Sequence, residues 1–387
     1  MEKNKSKRNM KHKVEIIDYL RGLSILAIII IHVIAWHDNA IFTVYTKLPI
    51  LFNLRDFLEF SVVTIVICSG FSLYLSHNKL SLNFKDLFHF YRKRFKRILM
   101  PWWIFLIIFF SIHYIIKSIF GLELIDLSRN YILASFFMIG GIGFGWLVLL
   151  MLVVSLLFPF LKYLYTNINK IILFNVLTIA YVSSLILFEV EHIHVFHLSP
   201  DSISIAPLII FTIPFILGWS IAYMIGFLLA RFYNTPQFMK KVLELTLGFI
   251  GLFISVNVIY TILNLDKHLY LNKYPPTPEF LSFGLMATFI LLTSFFSCKK
   301  FIHDYLKKLL SFFSSNSYWL FMWNALTLSF FIPFLALFEF NNIFLRLITA
   351  IILNLIGVSL LVLVQNRLIK MVHFSSKKKK MIEKSEG

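Results

Sequence analysis

The sequence predicts an all-α integral membrane protein, a bundle of about ten transmembrane helices with the N- and C-termini cytoplasmic. Three observations carry that expectation. Of 387 residues 59% are hydrophobic and 14% charged, with 44 Phe, and mean hydropathy is +0.80, well outside the range of soluble domains. Apolar stretches of about 20 residues, enough to cross a hydrocarbon core about 30 Å thick as a helix, recur along the chain. Lys and Arg crowd into alternate connections between those stretches. Strand-type alternation is absent, which argues against an outer-membrane barrel.

The spans follow in order. A basic segment, 1–14, leads into the first at 15–36, whose apolar run is too long for a cleaved signal and has no small-residue cleavage pattern after it. The second, 57–76, carries Cys68, Ser69 and Gly70. A basic loop then leads to the third, 99–118, entered at Pro101. Spans at 143–160 and 170–188 follow, then 206–230, containing Pro214, and 241–264. "YPPTPEF" at 274–280 reads as a stiff outer loop before the eighth, 279–298. The ninth, 314–337, holds Pro333, and the tenth is 342–366; the three prolines mark starts or kinks. A second basic segment, 367–387, completes an organisation of one membrane domain, 15–366, between two tails.

With the N-terminus inside and ten spans, 30 of the 37 Lys and Arg fall on the cytoplasmic side. Only Lys47, Arg55, Lys117, Arg129, Lys267, Lys273 and Arg346 fall outside. The net charge of +18 is therefore a matter of topology and of attraction between anionic lipid and tails such as "SSKKKKM", not of nucleic-acid binding. Cys68 and Cys298 both fall in spans, which indicates neither a disulfide framework nor a thiolate metal site. No internal repeat, Gly-rich phosphate loop or soluble domain is visible, so any chemistry belongs within the helical bundle or at its mouths.

The first span offers such chemistry. In "RGLSILAIIIIHV", Arg21 and His32 are eleven residues apart, three turns plus about 20° on a helix, so they share one face about 16 Å apart. Arg21 falls near the cytoplasmic boundary with Asp18 one turn back to pair with it, and His32 falls toward the outer side. Ionisable groups at membrane depth usually face a bundle interior or a wet cavity. The plainer alternative is an arginine reaching to the headgroups and a histidine bonded to a neighbour. A second cluster, "FYRKRFKRILMPWW", puts Arg94 and Arg97 on one helical face before Pro101, Trp102 and Trp103. Arginine forks bind phosphate bidentately, so these two beside Arg21 suit a phosphorylated ligand at the inner mouth.

Other polar residues carry less. His192, His194 and His197 in "EVEHIHVFHLSP" have metal-ligating side chains but no fourth ligand at regular spacing, and read as a polar loop. His113 reads as a satisfied buried histidine, and Glu59, near Arg55 and Asp56, as part of a surface ion pair.

Taken together, the motifs resemble those of membrane acyltransferase family 3. "IIDYLRGLSILAIIIIHV" is similar to that family's first helix, an arginine and a histidine separated by ten residues with an acidic residue, here Asp18, just before. "ICSGFSLYL" resembles its Ser-Gly-Phe element at Ser69, Gly70 and Phe71, and "RFKRILMPWW" its Arg-x-x-Arg stretch before a proline. "GFGWLVLLMLVVSLLFP" resembles its Trp-aromatic-Leu segment at Trp146 and Leu147, with Val148 departing from the commoner residue, and "NSYWLFMWN" its late Ser-Tyr element at Ser317 and Tyr318. The matches occur in the family's order over about 300 residues. Asn324 stands where many members carry a histidine, and an asparagine can hydrogen-bond but cannot shuttle a proton.

This resemblance implies a plasma-membrane O-acyltransferase that takes an acyl group, usually acetyl, from cytoplasmic acyl-CoA and passes it to a hydroxyl of a cell-envelope polysaccharide or glycolipid outside. His32 would be the base or acyl carrier, supported by Arg21 and Asp18. Arg94, Arg97 and Arg21 would hold the donor's phosphates, while Ser69, Gly70, Trp146, Ser317, Tyr318 and Asn324 would line the substrate path. No metal is expected. Transfer would be direct or through a separate extracytoplasmic transferase protein, since no esterase-like domain follows the tenth span. The alternative reading is an exopolysaccharide exporter or other transporter, for which internal repeats would be usual.

Overall fold

Inside a bilayer every peptide group has to be satisfied within its own segment or by a closed barrel, and the computed structural model of the chain meets that demand with helices. It describes residues 2–35, 49–77, 80–190, 205–265, 267, 269, 272–298, 301–336 and 343–385, with side chains over 15–34, 53–77, 80–187, 212–265, 267, 269, 272–298, 301–330 and 344–371. The helices are α1 (Glu2–Ala35), α2 (Pro49–Leu58), α3 (Phe60–Ser76), α4 (Phe84–Phe120), α5 (Arg129–Phe137), α6 (Gly145–Asn167) and α7 (Lys170–Val190). They continue as α8 (Ile205–Phe232), α9 (Phe238–Ile262), α10 (Pro278–Ser297), α11 (Asp304–Ser315), α12 (Ser317–Ala336) and α13 (Ile343–Ser385). Among the described residues there is no β-strand, and nine helical segments are long and apolar enough to cross a membrane. The predicted ninth span corresponds to α12, the all-helical multi-pass architecture being the one expected.

Several boundaries differ from the hydropathy reading. The predicted third span is the middle of α4, which begins where Asn83 Oδ1 accepts the Asp86 N–H at 2.8 Å and ends at Gly121 with φ +68°. Its 37 residues span about 55 Å at 1.5 Å per residue, more than a hydrocarbon core, so its basic first turns project past the apolar slab. The first and last helices likewise run on into the two basic tails. The predicted connection after 298 contains α11, an amphipathic helix capped by His303, with Leu310, Phe313 and Ser314 buried. Hydropathy misses it because a short helix with one apolar face never reaches the mean of a span.

The interior is organised around α3, which packs on α1, α8 and α10. Small residues allow the approach. A Cβ on Gly70 would stand 2.1 Å from the Tyr223 carbonyl oxygen, and one on Gly226 would stand 2.3 Å from that of Ile67, so α3 and α8 interlock through two glycines. Gly70, expected beside the substrate path, is thus used for helix contact. Gly22 plays the same part between α1 and Leu310 of α11. Hydroxyl pairs join α3 to α10, Thr64 to Thr288 at 2.7 Å, and α9 to α10, Thr246 to Thr293 at 2.8 Å.

Gly70→Ala is expected to force α3 from α8 and destabilise the fold by about 1–3 kcal/mol. Gly251→Ala, where an added Cβ meets nothing within 4 Å, is expected to leave the melting temperature of the detergent-solubilised protein unchanged. Equal melting temperatures for the two variants would contradict the interlock.

Candidate functional site

Near the C-terminal end of α1 the imidazole of His32 is half-buried between two aromatic rings. Phe144, at the start of α6, has its ring centroid 4.2 Å away, and Phe321 of α12 is at 5.8 Å. The Nδ1 edge of the imidazole meets the side-chain amide of Asn324 of α12 at 2.9 Å. That amide meets Asn354 of α13 at 2.7 Å, and Asn354 meets the hydroxyl of Thr327 at 2.5 Å. Asn324, Thr327 and Asn354 are all buried. Among the described residues His32 Nε2 makes no hydrogen bond. The asparagine found at the family's histidine position is therefore the direct partner of His32.

A buried ion pair lies on the same side. Lys273, in the connection before α10, bonds to Glu59 at 2.9 Å, with side chains only 9% and 1% exposed. This corrects the reading of Glu59 as part of a surface pair: its partner comes from 214 residues away in sequence, a distance that local spacing does not reveal. The ammonium also stands over the rings of Trp146 at 5.9 Å and Tyr274 at 5.3 Å, and those rings meet edge to face at 4.6 Å. Burial pushes the Lys273 ammonium below its ordinary range while Glu59 opposes that shift. Lys273 and Arg55 both exert their charges on His32.

Toward the other end of α1, Arg21 donates to Asp18 Oδ1 at 3.2 Å, to Ser72 Oγ at 2.5 Å and to the Cys68 carbonyl at 3.4 Å. Ser314 of α11 donates to Asp18 Oδ1 at 3.4 Å. The pairing of Asp18 with Arg21 expected from their spacing is present, and the Arg21 bonds to Ser72 and the Cys68 carbonyl tie α1 to the C-terminal half of α3. Arg94 of α4 is buried, its guanidinium 5.2 Å from the Phe90 ring centroid. It lies within electrostatic reach of Arg97, Tyr223 and His77. Arg94 Nε and the Tyr223 hydroxyl are buried with no hydrogen bond among the described residues. Arg97 is exposed. Thus Arg21 and Arg94 both lie near the C-terminal half of α3, Arg97 is exposed, and His32 is three turns from Arg21 along α1.

The remaining predicted residues are placed as follows. Ser69 Oγ donates to Met151 Sδ at 3.6 Å, linking α3 to α6. Tyr318 donates to the Ile98 carbonyl at 2.5 Å, beside the place where Pro101 lacks the N–H that would bond Arg97; it fastens α12 to α4. Ser317 opens α12, half-buried. His113 has both ring nitrogens engaged, by the Phe109 carbonyl at 2.8 Å and Ser329 Oγ at 2.9 Å. His192, His194 and His197 lie outside the described residues, and among those described no group of three or more His, Cys, Asp or Glu is placed to hold a metal. A groove of about 800 Å³ between α4 and α6, lined by Phe88, Tyr91, Arg92, Lys96 and Leu152 among others, contains none of the predicted site residues.

Sequence reasoning missed Asn354, Thr327, Phe144, Phe321 and the partner of Glu59. For Asn354 a signal existed: it is a lone amide in the apolar run "ITAIILNLIGVSLLVLV", and such a group in hydrocarbon needs a polar partner.

A family model described as an acyltransferase domain, that of acyltransferase family 3, matches residues 14–364. No curated protein and no solved structure matches the chain.

Glu59→Gln would remove the carboxylate bonded to the buried Lys273 ammonium, and the expected loss is about 3–5 kcal/mol. The double change Glu59→Gln with Lys273→Met is expected to recover most of the melting temperature. A single variant as stable as the native protein would show that this pair does not hold the outer loop.

Proposed function

The chain belongs to acyltransferase family 3 and is a multi-pass membrane acyltransferase; from that membership we propose transfer of an acyl group, acetyl being the expected one, from cytoplasmic acyl-CoA to a hydroxyl of an extracytoplasmic polysaccharide or glycolipid. The single observation that carries this reading is α1 itself. One rigid helix holds Arg21 toward one end and at the other His32 with its Nε2 edge unengaged among the described residues, while Arg94 of α4 is buried within electrostatic reach of Tyr223.

In this reading the phosphates of the donor meet Arg97 first and then Arg94, whose Nε, like the Tyr223 hydroxyl, has a hydrogen bond still to make. Guanidinium forks suit that contact because they match phosphate oxygens in pairs. The pantetheine arm carries the thioester inward toward His32. There Nε2 takes the proton of the acceptor hydroxyl as its oxygen attacks the thioester carbonyl. A C–O bond forms, the C–S bond breaks, and the imidazolium returns its proton to the departing sulfur, leaving ester and free thiol. Asp18 and Ser72 fix Arg21, so the inner end keeps its geometry while substrates come and go.

Localisation in the plasma membrane with both termini cytoplasmic belongs to the same proposal, supported by the 30 of 37 cationic residues that this topology places inside. The acceptor is a cell-envelope carbohydrate reached directly or through a separate extracytoplasmic protein, and anionic lipid faces the basic helix ends.

In cells whose envelope polysaccharide is esterified only when this chain is present, His32→Ala is expected to abolish the ester while the protein still inserts. In membranes, Arg94→Ala is expected to raise the KM for acyl-CoA about 10- to 100-fold, the equivalent of one or two charged hydrogen bonds, with Arg97→Ala milder. Undiminished ester in the His32 variant would remove the base. A periplasmic reporter enzyme fused after Gly387 is expected to be inactive, and activity there would reverse the topology.

A further inference from the structure

Resting on the reading of His32 as the base, we infer that Asn324, Asn354 and Thr327 form a hydrogen-bond chain that sets the tautomer of His32, making Asn354 and Thr327 positioning residues of the transfer step. The four groups follow one another without a gap: His32 Nδ1 to Asn324 at 2.9 Å, Asn324 to Asn354 at 2.7 Å, Asn354 to Thr327 Oγ1 at 2.5 Å. The three partners come from α12 and α13 and are buried, so water cannot replace a missing member.

Such a chain has only two self-consistent polarities, because a carboxamide has one accepting and one donating end of the same shape. In the first, Thr327 gives its proton to Asn354 Oδ1, Asn354 donates to Asn324 Oδ1, and Asn324 donates to His32 Nδ1. Nδ1 is then an acceptor, the ring proton sits on Nε2, and that edge can give a proton but not take one. In the second, both amides are turned over. Nδ1–H donates to Asn324 Oδ1, Asn324 donates to Asn354 Oδ1, and Asn354 donates to Thr327 Oγ1. The threonine proton then has its own acceptor at hand, the carbonyl of Asn324 at 3.1 Å or of Trp323 at 3.2 Å.

Only the second polarity leaves the Nε2 lone pair free to receive a hydroxyl proton. It also serves the imidazolium that results, since Nδ1 carries a proton in both states. The ring can therefore gain and lose a proton at Nε2 without any member of the chain turning. Two backbone carbonyls placed to take the Thr327 proton make this polarity available: the hydroxyl is then free to accept from Asn354. The bond made by one ring nitrogen decides what the other can do. A pair of buried asparagines serving only to join α12 to α13 would have no need of the threonine or of contact with His32.

The test uses the full-length protein in nanodiscs, labelled with ¹⁵N-histidine, the His32 signals being those lost in His32→Gln. At pH 8 the native Nδ1 is expected to carry a proton. Asn354→Leu is expected to lower the Nδ1–H population and to reduce kcat about 10²-fold or more, as a wrong tautomer does in a triad, with the KM for acyl-CoA unchanged. Asn354→Asp can accept from Asn324 whether ionised or neutral, and is expected to restore both the Nδ1–H signal and most of the turnover. A native Nδ1 without a proton, or an Asn354→Leu protein with native tautomer and native kcat, would overturn the inference. Should the leucine variant not fold, failure of Asn354→Asp to keep Nδ1 protonated does the same. The spectrum needs no turnover, so transfer persisting in His32→Gln would defeat the base reading while leaving the tautomer result to stand or fall separately.

Discussion

A polar group carried into hydrocarbon has no water to turn to, and must find its partner within the protein. That constraint organises the whole interior. Hydroxyls on α3, α9 and α10 bond one another or the carbonyl four residues back. Lys273 reaches Glu59, and both nitrogens of His113 are occupied. Among the described residues the Nε2 of His32 makes no hydrogen bond, and the Nε of Arg94 is one of several buried groups, with Ser61 Oγ, Trp219 Nε1 and the Tyr223 hydroxyl, that make none.

The helix α1 relates Arg21 and His32 to each other. Its inner turns are anchored to α3 through Arg21, Ser72 and the Cys68 carbonyl, and to α11 through Asp18 and Ser314. Its outer turns are anchored to α12 and α13 through the His32–Asn324–Asn354 chain. Because a helix is stiff over three turns, a contact that moved Arg21 would move His32 with it. The glycine interlock of α3 with α8 makes the scaffold under Arg21 equally unyielding. Rigid support of this kind is what a transfer reaction asks for, since its rate depends on holding the reacting atoms within a few tenths of an ångström.

The fold was legible in the sequence to the extent that the bilayer imposes it. Span positions follow from apolar length, with no need to know what touches what. What escaped was set by contacts distant in sequence or by short elements. Glu59 looks like a surface residue beside Arg55 and Asp56 until Lys273 closes over it. The helix α11 has too few apolar residues to register as a span, and Gly70 is adjacent to a motif serine yet faces the backbone of α8. Within the candidate site, Arg21, Asp18 and His32 were legible because helical periodicity alone puts them on one face. Asn354 and Thr327 were not, because nothing in a one-dimensional pattern tells which face of α13 meets which face of α12.

The asparagine at position 324 changes character once its surroundings are known. Taken alone it is the loss of a proton carrier, since an amide cannot accept and release protons as imidazole does. Bonded to Nδ1 of His32 it has a different use, that of holding the ring still and presenting one chosen nitrogen. A histidine there would add a second titrating group within 3 Å of the first, and two such groups share protons as a pair rather than acting singly. An amide avoids that coupling, and under the proposed function it leaves a single imidazole to take the hydroxyl proton and return it to the leaving sulfur. Asn324 therefore fits the proposed one-base transfer, in which orientation comes from neutral dipoles and the proton stays on the Nε2 edge of the ring.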